Sequence, residues 1–253
     1  MIQLTHQAQA LLALAAFGAG FVDAIAGGGG IITLPALLFA GLPPHLALGT
    51  NKGQSVFGSF SALVRYTRAG LLDRKLAKLT FPLGLIGSPI GAQLVLWVSP
   101  SSLRGIVLVL LVGVAIFLAL QGGPGKPREP VSRPMLVAGI VAFGLSIYDG
   151  FFGPGVGTFL IVAFVALLGR TLDRASADAK AVNFASNLAA LTLFASRGVV
   201  LWSVALPMAL AQAAGAWLGA HVTVKGGARV VRPVALLVTV GLVARLVRDL
   251  FGS

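Results

Sequence analysis

The sequence contains no cysteine, and only 7 of its 253 residues are acidic. The first absence excludes a disulfide scaffold, a zinc finger and any relay of sulfur through a thiol of this chain. Charged residues make up 10% of the chain, against about 25% in a soluble domain, too few to coat a water-facing surface of this size. Catalytic signatures are missing too. There is no G-x-x-x-x-G-K-[ST] loop, no G-x-S-x-G elbow and no H-E-x-x-H pair. The chain is therefore read as no enzyme, with no cofactor and no metal. A net charge of +12 would point to nucleic acid in a soluble protein. Here the bases stand between apolar runs rather than on one polar face, so the neighbour is a lipid bilayer and no nucleic acid is expected.

What remains is 57% hydrophobic. Apolar segments run over 8–26, 31–42, 44–69, 76–98 and 103–120, and again over 134–152, 156–168, 177–197, 203–222 and 232–250. A crossing helix needs about 20 residues for a hydrocarbon layer of roughly 30 Å, so the expected fold is an all-α polytopic membrane protein. No basic n-region precedes the first segment, which is read as a retained span. The polar, Pro/Gly-rich stretch 121–133 divides an N-terminal repeat, 1–120, from a C-terminal one, 134–253, and is read as a cytoplasmic linker loop.

Each set of five has a short second member, which prompts a search for an internal repeat. Moving 128 positions aligns Lys52 with Lys180, Gly87 with Gly215, Gly91 with Gly219 and Arg104 with Arg232. A shift of 126 aligns Asp23 with Asp149, Gly27 with Gly153 and Gly29 with Gly155. With ten crossings and the N-terminus outside, 13 of the 19 bases fall at inner ends and loops, while Arg104, Arg197, Arg245 and Arg248 fall outside. That bias sets the orientation, although Arg245 and Arg248 count against it. Five spans per half is an odd number, so the expectation is two inverted-topology repeats, the architecture that places a substrate site at the repeat interface. An eight-span alternative treats the short segments as re-entrant half-helices.

The short segments 31–42 and 156–168 reach only about 18–20 Å. Each follows a glycine-rich break, Gly27 to Gly30 in one half and Gly153 to Gly157 in the other. Glycine frees backbone N–H groups and lets them approach a ligand, and helix N-termini favour anions. The candidate donors are the N–H groups of Gly28, Gly29, Gly30, Gly155 and Gly157; close helix packing is the bland alternative. Lys52 and Lys180 lie within apolar segments, where a charge is costly and functional by default. Ser55 follows Lys52 on one helical face, as Asn183 and Asn187 follow Lys180, and Thr50 and Asn51 extend the first stripe. The alternative is that the lysines snorkel to an interface. Asp23 and Asp149 each stand four residues before a glycine break. They either cap the loop or pair with a lysine across the interface, or else couple transport to protons. The Gly87/Gly91 and Gly215/Gly219 pairs are read as packing notches, within one chain or between chains, so the oligomeric state stays open.

The run FVDAIAGGGGIITLPALLFAGLPPHLALGTNK (Phe21 to Lys52) resembles the N-terminal signature of the TauE/SafE sulfite exporter family, also called TSUP. DGFFGPGVGTFLI (Asp149 to Ile161) and ADAKAVNFASNLAAL (Ala177 to Leu191) resemble its second-half signature. The resemblance implies a multi-pass inner-membrane carrier, expected to export a small anionic substrate such as sulfite or an organosulfonate. Composition and repeat independently lead to a secondary transporter, with a channel-like anion pore or an importer of another small anion as the alternative; sulfur enters only through the resemblance.

Overall fold

The computed structural model describes residues 4–121, 129–227 and 229. Among them are nine α-helices and no strand. They are α1 (His6–Ala26), α2 (Gly29–Phe39), α3 (Pro44–Arg68), α4 (Arg74–Trp97), α5 (Pro100–Gln121), α6 (Pro134–Phe151), α7 (Val156–Leu168), α8 (Leu172–Ser196) and α9 (Trp202–Gly226). The tenth apolar segment, 232–250, and residues 122–128 of the linker lie outside the described residues.

Five of the helices, α1, α4, α5, α6 and α9, are long and apolar enough to cross a bilayer. The all-α polytopic membrane class therefore holds. Helices α3 and α8 are as long, 25 residues each, but carry the polar residues of the chain on buried faces. Lys52, Gln54 and Ser59 are buried on α3, and Lys180, Ser186 and Asn187 on α8. Large apolar side chains of the other helices face outward instead, among them Leu14, Ile86, Val109, Ile140 and Leu210. A polar centre inside an apolar rim inverts the pattern of a water-soluble bundle, as lipid requires.

The glycine pairs bring the helices together within one chain. A Cβ at Gly91 would collide with the Ile147 carbonyl and one at Gly87 would press on the Phe143 carbonyl, so α4 rides on α6. Moving to the other half, a Cβ at Gly219 would meet the Phe21 carbonyl and one at Gly215 the Phe17 carbonyl, so α9 rides on α1. Small residues let the backbones approach. Every residue in the first set maps onto the second by the sequence shifts of 128 and 126.

Helix directions follow from the contacts. His45, near the start of α3, donates from its ring to the Val95 carbonyl at the end of α4 (3.1 Å), so α3 and α4 are antiparallel. Thr50 accepts the Leu201 N–H at 3.0 Å where α9 starts, and Arg65 donates to His221 at 3.1 Å near its end, so α9 runs parallel to α3. Asp178 accepts the Asp73 N–H at 2.9 Å and the Ser88 hydroxyl donates to the Ser186 carbonyl at 2.6 Å, so α8 runs parallel to α4. The matching helices α3 and α8 therefore point in opposite directions.

Two of these bonds form a pair of end latches related by the repeat, since Thr50 corresponds to Asp178 and Asp73 to Leu201. One latch is neutral. The other is ionic: Arg170 donates to Asp73 and lies 3.4 Å from the Asp178 carboxylate. Burial opposes ionisation of Asp73, but Arg170 and the N–H groups of Leu76 and Lys75 outweigh it and hold the carboxyl below its ordinary value.

Candidate functional site

The two glycine breaks touch at the centre. Gly28 and Gly155 adopt left-handed backbone (φ 88° and 87°) that cap α2 and α7 without side chains. A Cβ at Gly27 would strike the backbone of Gly157 and Thr158, and one at Gly30 would press on Pro154. Gly27 also has a positive φ (76°), so there only glycine permits both the backbone angle and the approach. Around this contact the last carbonyls of α1, which have no partner within their own helix, are taken by three different helices. Tyr66 donates to Ala24 at 2.6 Å, Ser176 to Ile25 at 2.9 Å and Thr158 to Ala26 at 3.0 Å.

The lysines do not snorkel. Lys52 donates to Asp149 at 2.6 Å and to Asn187 at 2.9 Å, with both members of the ion pair 3% exposed. Lys180, with no exposed side-chain surface, donates to Asp23 at 2.7 Å. Each lysine thus binds the aspartate of the opposite half. Each aspartate also does local work: Asp23 accepts the Gly29 N–H at 3.1 Å, and Asp149 accepts the Ser186 hydroxyl. Among the described residues, Asp23 caps the loop and pairs across the halves, whereas Asp149 pairs across the halves without capping its own loop. A buried pair leaves little room for error, because removing one partner strands the other charge.

These groups enclose a cavity of about 30 Å³, room for a water or two. It is lined by Asp23, Gly28, Gly30, Asn51, Lys52, Ser55, Asp149, Gly155, Gly157, Asn183 and Asn187, all expected from sequence. Gly153, Val156 and Gln212 also line it and were not expected. Three expected residues stand back from it. Gly29 works through its N–H to Asp23, Lys180 is sealed behind Asp23, and Thr50 turns to the Leu201 N–H. The Asn51 carbonyl accepts from Thr33 at 2.6 Å and Gln54 at 2.9 Å, so the group Asn51 can offer the cavity is its NH₂. The signal for Gln212 was present, a lone carboxamide inside the apolar run 203–222. A wider recess of about 880 Å³ between α5, α6 and α7 is lined by apolar residues with Tyr148, whose hydroxyl is bound to the Pro154 carbonyl at 2.9 Å.

Chemically, the cavity brings together a cation, amide and hydroxyl donors and two helix N-termini. With its two carboxylates counted against Lys52 and Lys180, the charge of the site sums to zero. It can bind an anion if a carboxylate yields its lysine.

Comparisons with known proteins give the family. The family model described as "Sulfite exporter TauE/SafE" matches residues 12–246. The chain is 38% identical to "Probable membrane transporter protein ORF9" of Sinorhizobium sp, over 98% of this chain and 96% of that protein. It is 37% identical to "Probable membrane transporter protein YfcA" of Escherichia coli K12, over 93% and 88% respectively. A "Probable membrane transporter protein" of Haemophilus influenzae is 36% identical over 95% and 94%. No solved structure gives a significant match. A polar, charge-paired cavity inside an apolar helical rim, together with a family match over nearly the whole chain, identifies this protein as a multi-pass membrane transporter that belongs to the TauE/SafE sulfite exporter family.

Proposed function

We propose that this protein is a secondary transporter that exports a small sulfur-containing oxyanion, sulfite or an organosulfonate, across the inner membrane, with no chemistry performed on the substrate. The observation that carries this reading is the crossed arrangement Lys52–Asp149 and Lys180–Asp23 beside two abutting helix N-termini. The oxyanion enters against the N–H groups of α2 and α7 and takes the place of a carboxylate on Lys52. The displaced aspartate returns to the lysine when the anion leaves, so the empty carrier buries no net charge on its return stroke. Asp149 is anchored by the Ser186 hydroxyl during this exchange. Inverted repeats give the exchange its alternating access, and the opposed directions of α3 and α8 support that relation between the halves. A continuous anion pore is the rival, and the small volume of the cavity, about 30 Å³, speaks for a carrier.

The test is uptake by proteoliposomes of labelled sulfite, thiosulfate, sulfate and sulfoacetate. Saturable uptake of at least one sulfur oxyanion, competed by unlabelled sulfite, supports the proposal. Uptake of none of the four at rates above empty liposomes overturns it.

A further inference from the structure

Two residues of the cavity wall hold buried hydrogen-bond acceptors that an anion cannot satisfy. Gln212 is 2% exposed and Asn183 is 4% exposed, and both line the cavity. Among the described residues, no donor reaches Oε1 of Gln212 or Oδ1 of Asn183. Buried polar groups are almost always paired, and those left over need a partner from elsewhere.

Gln212 is held as a built feature. A Cβ at Gly58 would lie 2.7 Å from its Cγ and 2.9 Å from its Nε2, and a Cβ at Gly20 would lie 2.9 Å from its Cγ. Two glycines thus form the slot that admits this one side chain. At the repeat-related place Gly84 replaces Gln212, while Ser146 and Ser186 replace the two glycines. There a serine serves the carboxylate Asp149 and nothing reaches the cavity from the helix. The repeat has been broken at this point in favour of a single carboxamide side chain in the cavity wall.

We infer that the cavity takes an anion that itself carries an O–H or N–H donor, and that Gln212, with Asn183, accepts that bond and selects such an anion over one without it. The inference rests on the oxyanion reading above and narrows its substrate class. An unpaired acceptor discriminates more sharply than a missing methylene, because an analogue lacking the donor leaves the carbonyl buried and alone.

The experiment uses the full chain in proteoliposomes with three probes, namely sulfite, 2-hydroxyethanesulfonate and ethanesulfonate. The two sulfonates share their charge and differ by one hydroxyl. The expected result is half-saturation about tenfold or more lower for the hydroxylated probe. In Gln212→Met, which keeps the length and removes the acceptor, that ratio should fall toward one. The wild-type comparison decides the matter even if the variant does not insert. No flux of these three probes or of thiosulfate, sulfate and sulfoacetate overturns the oxyanion reading and this inference together, and flux of one of the latter three without flux of the hydroxylated sulfonate overturns this inference alone. Flux of sulfite without preference for the hydroxylated sulfonate overturns this inference alone.

Discussion

Replacing Lys52 with methionine keeps the stem and removes the ammonium, which leaves the Asp149 carboxyl without its cation at a site where both partners are 3% exposed. At the observed 2.6 Å separation, the gross attraction is about 6 kcal/mol for an effective dielectric of about 20. Most of that is offset by desolvation. The measurable loss on stranding one charge of a buried pair is roughly 3–5 kcal/mol. The Lys52→Met, Asp149→Asn double variant strands no charge, so it should lie within about 1 kcal/mol of wild type, or above it. The coupling between the two sites then comes to at least about 2 kcal/mol. Equilibrium unfolding in detergent micelles reads the stabilities, and proteoliposome flux reads function. Flux should be lost in both variants, because the double variant regains a quiet core without regaining a cation. A Lys52→Met protein as stable as wild type, or a double variant that transports normally, would refute the reasoning.

Further outcomes follow from particular contacts. Gly91→Ala pushes a methyl into the Ile147 carbonyl and should cost about 1–3 kcal/mol, whereas Gly144→Ala meets nothing within 4 Å and should be neutral or stabilising in the same unfolding assay. Lys180→Arg must fit a planar fork where no side-chain surface is exposed, so flux should fall at least about tenfold despite the retained charge. Asp73 is held below its ordinary value of 3.8 against the opposing effect of burial, so the Arg170 clamp contributes stability above that value and loses it as pH falls through the lowered one. Thermal unfolding from pH 6 to pH 3 should therefore show a steeper acid loss in wild type than in Arg170→Gln, and equal slopes would contradict the clamp.

Much of the helical frame was legible in the sequence because lipid writes its demand as uninterrupted apolar runs. The starts were less legible. Apolar segments beginning at 76 and 177 belong to helices that begin at Arg74 and Leu172. The first turns are polar, and Asp73 caps α4 by accepting the N–H groups of Lys75 and Leu76, which hydropathy does not register. The site residues were legible as charges and amides placed where charge is costly, and most of them line one cavity. Pairing with a lysine across the halves was one of the roles the sequence offered the aspartates, but which aspartate meets which lysine needed the packed helices. Thr50 misled for a related reason: its neighbours Asn51 and Lys52 turn inward, while its own hydroxyl latches the start of the opposite half. The glycine slot around Gln212 involves three helices and could be found only once they were packed.

Counterflow in proteoliposomes tests the central claim, that an alternating Lys–Asp exchange carries a sulfur oxyanion, most directly. Vesicles preloaded with unlabelled sulfite should take up labelled sulfite faster than empty ones, the initial rate should saturate, and the Lys52→Met, Asp149→Asn protein should show neither property. Uptake that rises linearly with concentration, is indifferent to sulfite on the far side and persists in the double variant would contradict the claim and point to a pore.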